Sequence, residues 1–456
     1  EYVRKLIRLG QAQDRILHSP HHDSVKPAIL LSQACEDVGR LWEAYAWCLL
    51  ASQVDPTNEA ARDRLQRLSA KVQGLPLKLT ADSVNIATSV DLSDYELPDF
   101  MSLTANSTQA GSVADSPLSF RDQAEVTGLR FRYFNGTKGP TTLRLYELTG
   151  GGIGVLDFDA DGWPDIALSQ GCLWPPGKSH SGEGDGLFRN QSGRSFEDVA
   201  SDARISESDF GQGIAVADFN SDGFPDLFVA STQSNRLWEN NGDGTFTDIT
   251  VTAGIQGDTW TTSCVMADLS GDGNPDIYEV NYLSGKDVFD RVCKHQNGSR
   301  RQCTPTHFDG ALDRLWINEG KGTFVDKTAD ALSASPNGKG LGVAVWSTQA
   351  GQLDLLVAND TTPNMYFRRQ SVDTSAPLRL LENGISAGIA VNEDGKAEGC
   401  MGIALGDTDG DGRIDALVTN FYNESNTLYL GMGRGFFEDG TRTNGLETPS
   451  MKVLGF

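Results

Sequence analysis

The stretch Asp157-Phe-Asp-Ala-Asp-Gly-Trp-Pro-Asp165 decides how this chain folds. Carboxylates occupy positions 1, 3, 5 and 9 of these nine residues, and a glycine occupies position 6. Ca²⁺ takes about 6–8 oxygen ligands, and glycine permits the tight turn that lets alternate carboxylates point inward. An Asp-Gly turn also occurs in hairpins that bind no metal, so a single copy leaves both interpretations open.

The same nine-residue pattern recurs three more times, starting at Asp218, Asp268 and Asp407. We expect the backbone carbonyl at position 7 to add a ligand in each copy. Mg²⁺ requires a stricter octahedron and keeps more water, so an all-protein cage favours Ca²⁺. Repetition of one ligand pattern therefore predicts about four Ca²⁺ sites. The predicted ligands are Asp157, Asp159, Asp161, Trp163, Asp165, Asp218, Asn220, Asp222, Phe224, Asp226, Asp268, Ser270, Asp272, Asn274, Asp276, Asp407, Asp409, Asp411, Arg413 and Asp415.

The four loops are not equal in charge. Asn220 replaces a carboxylate in the second loop, and Ser270 replaces one in the third. We therefore expect the first and last loops to hold Ca²⁺ most tightly and the Asp268 loop least tightly. An EF-hand is the rival interpretation, but it needs flanking helices and a glutamate at position 12. Only the third loop has that glutamate, Glu279.

Short apolar runs flank the loops, such as Gly154–Leu156 before the first and Ile166–Leu168 after it. Such runs around a Gly/Asp turn are typical of buried strands. Each unit continues with a glycine-rich hairpin, for example Asn240-Asn-Gly-Asp-Gly244. About four short antiparallel strands per repeat is the pattern of a propeller blade, with the carboxylate loop between its first two strands. We therefore predict a mainly β fold, a calcium-binding β-propeller.

The wide gap between the third and fourth loops predicts one more unit. Gly340–Trp346 and Leu353–Val357 fit its first two strands. If Asp354 takes position 9, positions 1, 3 and 5 fall on Trp346, Thr348 and Ala350. This unit keeps its strands without the carboxylates, so we predict no Ca²⁺ there. Five blades are then visible, and Lys452–Phe456 reads as the opening strand of a sixth.

The first 73 residues have a different pattern. Apolar residues show helical spacing in four segments separated by Ser-Pro, glycine and Asp-Pro breaks. The predicted helices are Tyr2–Leu17, Lys26–Val38, Leu41–Gln53 and Thr57–Val72. The stretch resembles a tetratricopeptide repeat (TPR) at its turn glycine, its small packing residues and its closing Asp-Pro-x-Asn. The residues that carry this resemblance are Gly39, Ala44, Ala51, Asp55, Pro56 and Asn58.

Three segments follow from these patterns. Residues 1–73 form a TPR-like helical domain, and residues 74–123, rich in Ser, Thr, Asp, Ala and Pro, form a linker. Residues 124–456 form the propeller. Ala124 to Tyr146 is expected to be β-like, because Leu129-Arg-Phe-Arg-Tyr133 alternates and Asn135-Gly136 is a turn dipeptide.

The propeller segment resembles the FG-GAP/VCBS repeats of integrin-α-type propellers, through its Asp-rich loops and Asn-Gly-Asp-Gly-Thr-Phe hairpin. Val357-Ala-Asn-Asp-Thr-Thr-Pro-Asn364 and the stretch from Gly402 to Asp415 are similar to the cartilage acidic protein and UnbV/ASPIC type. The resemblance covers residues 131–456. It implies a seven-bladed calcium-binding propeller on secreted proteins, usually followed by a further C-terminal domain.

Bulk composition excludes some classes of function. The 456 residues carry a net charge of −24, which disfavours nucleic-acid binding because that function needs a basic face. No apolar run reaches the ~18–20 residues that span a bilayer. Cys293 and Cys303 flank a basic insertion, and we predict a disulfide between them, with two reduced thiols as the alternative. Constitutive Ca²⁺ sites and a disulfide indicate an extracellular, periplasmic or cell-surface location.

Signals for catalysis are weak. Gly384-Ile-Ser-Ala-Gly388 matches a nucleophile elbow, but that motif needs a strand-to-helix turn and a histidine partner. His295, His307 and Asp309 lie in the insertion over residues 284–312 and could form a second metal or active site. An enzyme with its site there or on the propeller axis is therefore one alternative, and a structural subunit of a surface assembly is another.

The favoured hypothesis is a secreted or periplasmic calcium-stabilised propeller that binds a protein or carbohydrate ligand on one face. A protein partner at the helical domain is also expected, since such repeats present a groove. No nucleic acid and no membrane span is expected.

Overall fold

A computed structural model of the chain divides it into two compact units, Glu1–Ser119 and Phe120–Phe456. Each unit is described by itself below. The structure describes Lys5 and residues 25–75, 119–137, 144–176, 184–205, 209–257, 259–320, 322–333, 335–349, 352–371 and 376–455.

The first unit contains three consecutive helices within residues 25–75. They are α1 (Val25–Asp37), α2 (Leu41–Val54) and α3 (Glu59–Val72). Their apolar faces meet in one small core that includes Leu31, Cys48 and Leu68. These helices match the second, third and fourth predicted segments, whereas the predicted helix Tyr2–Leu17 lies outside the described residues.

Residues between the helices determine where the helices begin and end. Gly39 has a φ of +83°, a left-handed conformation that glycine adopts readily after a helix. The Asn58 side chain accepts a hydrogen bond from the backbone N–H of Ala61 and so caps α3. Helices are therefore found where the apolar spacing predicted them, but a TPR assignment needs more than three helices.

The second unit is built from four-stranded antiparallel sheets, five of them within the described residues. In each sheet the first, second, third and fourth strands are neighbours in that order. The strands, sheet by sheet, are β1 (Ile153–Leu156), β2 (Asp165–Leu168), β3 (Gly186–Asn190) and β4 (Phe196–Asp198); β5 (Gly211–Ala217), β6 (Asp226–Ser231), β7 (Arg236–Asn240) and β8 (Phe246–Asp248); β9 (Thr261–Ala267), β10 (Asp276–Asn281), β15 (Arg314–Asn318) and β16 (Phe324–Asp326); β17 (Gly340–Gln349), β18 (Gln352–Asn359), β19 (Met365–Arg369) and β20 (Leu380–Glu382); and β21 (Cys400–Gly406), β22 (Asp415–Asn420), β23 (Thr427–Gly433) and β24 (Phe436–Asp439).

Short helices and two small hairpins connect these strands. The third sheet carries the insertion predicted over residues 284–312, which contains two two-stranded ladders. These pair β11 (Leu283–Ser284) with β14 (Asp309–Gly310) and β12 (Cys293–Lys294) with β13 (Arg300–Arg301). The predicted disulfide between Cys293 and Cys303 is confirmed, with the two Cα atoms 5.0 Å apart. The helices are α4 (Ala124–Thr127), α5 (Thr328–Ala331), α6 (Gly384–Ala387) and α7 (Glu447–Ser450).

Successive sheets bury their facing surfaces against each other. Between the first and second sheets, Leu156, Ala167 and Leu187 meet Val229 and Trp238 in one apolar cluster. Similar clusters lie between the later pairs of sheets. The first strands approach so closely that a Cβ on Gly152 would lie 2.5 Å from the Cα of Gly213, so only glycine fits there. This stacking of four-stranded sheets is the propeller-like arrangement that the repeat pattern predicted.

Asparagine hydrogen bonds tie the first and second loops to the following sheet. Asn240, in the second sheet, donates its side-chain N–H to the carbonyl of Phe158 in the first carboxylate loop, at 2.8 Å. Asn318, in the third sheet, donates in the same way to Phe219 in the second loop, also at 2.8 Å. The Phe158 and Phe219 rings are buried in the core between their own sheet and the next. We call these two asparagine bonds the sheet tethers.

Two predictions about strands need correction. Ala124–Tyr146 is not β-like: its described residues contain α4 and a turn over Leu145–Glu147, but no strand. The reason is that the backbone near Phe134 bonds a side chain instead of a strand, with Phe134 N–H donating to Gln170 Oε1 at 2.6 Å. The alternating aromatics instead cover the first sheet, where Phe131 contacts Phe188 edge to face.

Residues 452–455 also form no strand, contrary to the prediction for Lys452–Phe456, and Phe456 lies outside the described residues. A strand needs a partner ladder, and here the backbone makes a turn bond from Val453 N–H to the Ser450 carbonyl at 3.2 Å and a single longer-range bond from Gly455 N–H to the Asn420 carbonyl at 3.3 Å. A similar backbone bond occurs where the second sheet begins, from Gly211 N–H to the Gln170 carbonyl at 3.0 Å.

Candidate metal centre

The carboxylate at position 1 organises every loop. In the first loop, Asp157 accepts the backbone N–H of Asp161 at 3.0 Å on one oxygen and that of Gly162 at 2.9 Å on the other. The position-5 carboxylate of Asp161 then accepts the N–H of Trp163 at 2.9 Å. The same bonds form around Asp218, Asp268 and Asp407. The aspartates therefore fold the turn themselves, and their oxygens converge on its inner side.

Two residues of each loop have left-handed backbone conformations. The position-6 glycines do, as predicted, with φ from +82° to +95°. Position 4 does as well, with Ala160 at φ +56° and Ser221 at +58°, a strained conformation for non-glycine residues. The last two loops place Gly271 and Gly410 there and avoid the strain. Position 4 was not among the predicted turn residues, although glycine in two of the four copies was a usable signal.

The position-9 aspartate joins the loop to the third strand. Asp165 is fully buried, and its oxygens accept Phe158 N–H at 3.1 Å and Asn190 N–H at 2.7 Å. Asp226 and Asp415 make equivalent pairs of bonds. Asp276 also bonds its loop and the third strand, but its loop donor is Ser270 at position 3. Position 9 therefore has a structural role of its own, independent of any ion.

Burial governs the acidity of these position-9 groups. Desolvation raises the pKa of Asp226 to about 7 and that of Asp276 to about 6, and it also raises the pKa of Asp165. Asp415 differs: desolvation acts upward there too, but hydrogen bonds from Thr408 and Gly431 outweigh it and lower the pKa. A bound cation would favour the ionised form of every one of them.

Two of the loops bring three carboxylates together. Ligand oxygens of Asp157, Asp159 and Asp161 lie within 4.8 Å of one another. In the last loop, oxygens of Asp407, Asp409 and Asp415 do the same. Among the residues that the structure describes, these are the only groups of three or more His, Cys, Asp or Glu side chains with that spacing. They are the two loops for which the sequence predicted the tightest binding.

Several predicted ligands do not belong to these two clusters and bond other protein groups instead. Asp165 stays outside the first cluster and Asp411 outside the last, where it pairs with Arg413. Asn220 donates its side-chain amide to Asp222 and to Glu239. The predicted ligation by the position-7 carbonyls of Trp163, Phe224, Asn274 and Arg413 stays a prediction.

The first cluster fits a hard divalent cation. Its donors are all carboxylate oxygens, the ligands that Ca²⁺ prefers. Both Asp159 oxygens are shielded from solvent, and the Arg189 guanidinium lies 2.5 Å from this carboxylate and 3.8 Å from Asp161. The negative charge of the cluster thus already attracts one cationic group, and a Ca²⁺ ion would neutralise more of that charge because it carries two positive charges.

The remaining candidate sites are not assembled. His295 and His307 are exposed, and His307 Nδ1 lies 2.8 Å from Thr304 Oγ1. Within the described part of the chain, neither histidine belongs to a metal-type cluster with Asp309. Ser386 does lie just after a strand, on α6, but its hydroxyl donates to the Asn383 carbonyl at 3.0 Å, and no histidine of the described residues bonds it.

A second set of repeated polar residues was not predicted from the sequence. In each sheet, an Asp or Asn immediately before the third strand accepts a backbone N–H at the end of the second strand. The donor is the last residue of that strand in four sheets, and in the first sheet it is Gln170, two residues beyond Leu168. The pattern is Asp or Asn, any residue, Leu or Tyr, then an aromatic residue. These capping residues are Asp185, Asn235, Asp313, Asn364 and Asn426.

Comparison with known proteins identifies the repeats. A family model described as an FG-GAP-like repeat matches residues 157–229 and 218–279, which contain the first three loops. The chain therefore contains FG-GAP-like repeats over this part of the second unit. No curated protein matches the sequence.

The solved structures that match the chain are distant from it. A lectin from Agrocybe aegerita that recognises non-reducing terminal N-acetylglucosamine is 16% identical, with 63% of this chain and 64% of the lectin covered, at a TM-score of 0.33. The match thus spans less than two thirds of the lectin chain. An endo-arabinase from Bacteroides thetaiotaomicron is 11% identical over 50% of this chain and 78% of its own, at 0.27. An engineered GH43 glycoside hydrolase is 9% identical over 62% and 51%, at 0.30.

None of the described helices is a candidate membrane span. Within the described ranges, none of them combines the length and the apolar composition that crossing a bilayer requires.

Proposed function

We propose that the second unit is a calcium-stabilised β-propeller that binds a protein or carbohydrate ligand on one of its faces. In this proposal residues 124–456 form the propeller, residues 74–123 a linker, and residues 1–73 a TPR-like domain with a groove for a protein partner. The whole chain works in an extracellular, periplasmic or cell-surface compartment. Calcium has a structural role, and the ligand contacts surfaces that the blades hold in place.

The observation that carries this proposal is the recurrence of the carboxylate loop, with three-carboxylate clusters in its first and last copies. Like charges held within 4.8 Å of one another repel, and that repulsion opposes folding of the loop. A Ca²⁺ ion between the carboxylates would replace this repulsion with attraction to the ion. Asp157, Asp159, Asp161, Asp407, Asp409 and Asp415 would hold the two tightest ions.

The Asp218 and Asp268 loops have the same backbone turn with fewer charges, so they would hold their ions more weakly. The unit at Trp346 has no carboxylate at positions 1, 3 and 5 and would hold none. This ranking follows from ligand charge, which tunes Ca²⁺ affinity.

The disulfide supports the proposed compartment. Disulfides persist in oxidising environments, where free Ca²⁺ is also abundant. Cys303 is 3% exposed and the bond closes a short loop, so it is part of the folded structure.

The direct test is calorimetric titration of the full chain with Ca²⁺ after chelation. We expect about four sites, the two strongest of which disappear in the double variant Asp159→Asn/Asp409→Asn. The matched control Asp202→Asn/Asp330→Asn removes the same charge from exposed positions outside the loops and keeps all the sites. Titration without a binding signal in the wild-type chain would overturn the calcium part of the proposal.

Ligand binding is tested separately. A glycan array and a screen of extracellular proteins are probed with the calcium-loaded chain and with the chelated chain. Binding that depends on Ca²⁺ supports a ligand surface held by the loops. Absence of any bound glycan or protein would leave a scaffold without the proposed binding function.

A further inference from the structure

The disulfide-closed hairpin over residues 291–303 differs from the rest of this acidic protein. The chain has 62 acidic and 38 basic residues, yet between Arg291 and Cys303 there are four cations, one histidine and no acid. Arg291 pairs with Asp287 at 3.7 Å and lies over the Phe308 ring. The other three cations, Lys294, Arg300 and Arg301, pair with no carboxylate among the described residues.

The strand register places two of these cations directly opposite each other. In the antiparallel ladder of β12 and β13, Lys294 is the cross-strand partner of Arg300, and Cys293 is the partner of Arg301. Like charges directly opposite destabilise a strand pair. Two-residue strands gain little from their own ladder, so the neighbouring disulfide between Cys293 and Cys303 must offset this repulsion.

The base of the hairpin is fixed and its tip is open. Cys303 is buried in the aromatic core of the insertion, and Gln302 donates its side-chain N–H to the Arg144 carbonyl at 3.1 Å. At the tip, Ser299 donates its N–H and its hydroxyl to Asn297 Oδ1 at 3.0 and 2.6 Å, which closes a tight turn. Lys294 and Arg300 are exposed on this rigid support.

We propose that this hairpin is a binding site for an acidic polysaccharide, one of whose carboxylate or sulfate groups sits between the cross-strand partners Lys294 and Arg300. Arg301 follows Arg300 in the strand and projects from the other face, where it contacts a second charged group of the polymer. A locally destabilising arrangement that the structure nevertheless fixes is typical of a functional site. An anion between Lys294 and Arg300 removes their repulsion and gains two charge-assisted hydrogen bonds. The inference deepens the binding function proposed above and does not depend on the carboxylate loops.

The hairpin's chemistry disfavours two other anionic surfaces. The tip residues from Gln296 to Ser299 are small and polar, so they offer no apolar side chain for insertion into a lipid headgroup layer. Three cations on a chain of net charge −24 are a poor match for a nucleic acid, which needs an extended basic face. A polysaccharide with spaced charges can contact the hairpin alone and stay clear of the acidic surface around it.

The test measures binding of the full, calcium-loaded chain to fluorescent heparin, polygalacturonate, neutral dextran and single-stranded DNA at low ionic strength. Binding to heparin but not polygalacturonate assigns the site to sulfate groups, and the reverse assigns it to carboxylates. We expect one of the two to bind, dextran not to bind, and added salt to weaken the complex. The triple variant Lys294→Gln/Arg300→Gln/Arg301→Gln should lose about tenfold in affinity.

The matched control is Arg194→Gln/Lys327→Gln/Lys452→Gln, which removes the same charge from exposed cations elsewhere. Its affinity should stay within about twofold of the wild type. Equal losses in the two triple variants, absence of binding to both acidic polymers, or tighter binding to DNA would each overturn the inference. Calcium titration of the hairpin variant separates the two proposals, because the hairpin can lose its polymer while the loops keep their ions.

Discussion

The loop Asp157–Asp165 and the hairpin Trp346–Asp354 solve the same connection in different ways. In the hairpin, β17 and β18 continue as a ladder through Trp346 opposite Asp354 and Ser347 opposite Leu353. In the loop, the ladder ends at Leu156 opposite Asp165, and carboxylates take over the backbone N–H groups beyond it. Both connections join the first two strands of a four-stranded sheet. The sheet therefore does not need the carboxylates, and their presence in four other units calls for a separate reason, which we assign to Ca²⁺.

The aspartate at position 9 differs between the same two connections in the groups that it bonds. Asp165 binds the backbone of its loop and of the third strand, whereas Asp354 accepts the Tyr366 hydroxyl and lies 3.2 Å from Arg368 Nε. Both side chains are almost completely buried. In either setting the aspartate links the second strand to the third, and only the loop also contains a three-carboxylate cluster, to which Asp165 does not belong.

Chelation of Ca²⁺ should give the largest effect. At a Ca²⁺ concentration about 100-fold above the dissociation constant, one site contributes about 2.7 kcal/mol. Loss of two strong sites should therefore lower the melting temperature by about 10 °C. Scanning calorimetry with and without EDTA measures this shift. An unchanged melting temperature would show that the loops fold as the Trp346 hairpin does, without a metal.

Asp354→Ala should destabilise the chain by about 3 kcal/mol, because it leaves Arg368 and the buried Tyr366 hydroxyl without their partner. The loss should be equal with Ca²⁺ and with EDTA, as measured by chemical denaturation. Asp157→Ala is the matched comparison, and its cost should be larger with Ca²⁺ present. A calcium-dependent cost for Asp354→Ala would show that the fifth unit binds an ion after all.

Asp313→Asn tests the capping position that three other sheets fill with asparagine. Desolvation raises the pKa of Asp313 to about 7, above the value of about 4 in an unfolded chain. The protonated carboxyl thus favours folding below pH 4, and this contribution is lost as the pH rises through 7. Asparagine does not ionise, so the variant should gain about 4 kcal/mol relative to the wild type between pH 4 and pH 8.

Urea denaturation at several pH values measures that gain, with Asp330→Asn as an exposed control. A stability difference that does not change with pH would contradict the assigned titration of Asp313. Asn281 N–H keeps its acceptor in the variant, and the Tyr278 hydroxyl can turn to accept from the new amide.

Arg189→Gln should give the smallest effect. Arg189 lies against Asp159 and Asp161, where it would compete with the proposed Ca²⁺ ion for them. Since its side chain is 43% exposed, its removal should raise the affinity of the first loop by only about threefold. Calcium titration compares it with Arg194→Gln, for which no change is expected. A weakened first site would mean that Arg189 supports the loop instead of competing for it.

The repeated loop made most of the β unit predictable. Apolar runs on both sides of each loop gave the strands, and the wide gap before Asp407 gave the unit at Trp346. The Cys293–Cys303 disulfide followed from a short spacing across a basic insertion. These signals are local, and each was repeated or closed within a short stretch of sequence.

What the sequence did not show depends on contacts between distant residues. The segment from Ala124 to Tyr146 has an alternating pattern, but Gln170 takes its backbone bonds, and that contact spans 36 positions. Arg189 is far from Asp159 in sequence and meets it only because β3 lies beside the loop. The capping residues could have been found, since their pattern occurs five times, but capping before a third strand has no spacing rule of the kind that metal loops provide.

The sheet tethers have a consequence for how the second unit unfolds. Asn240 and Asn318 are fully buried, and each is satisfied by a carbonyl of the preceding sheet. Opening of one sheet would remove one acceptor of a neighbour's buried amide, which keeps only its second bond, to the Pro225 or Pro275 carbonyl. An unsatisfied buried N–H costs about 1–3 kcal/mol. Nearest-neighbour coupling of this kind makes repeats open together instead of singly. Slow amide hydrogen exchange should therefore report one shared opening free energy for the first three sheets, and occupancy of one loop should be felt in the protection of the next sheet.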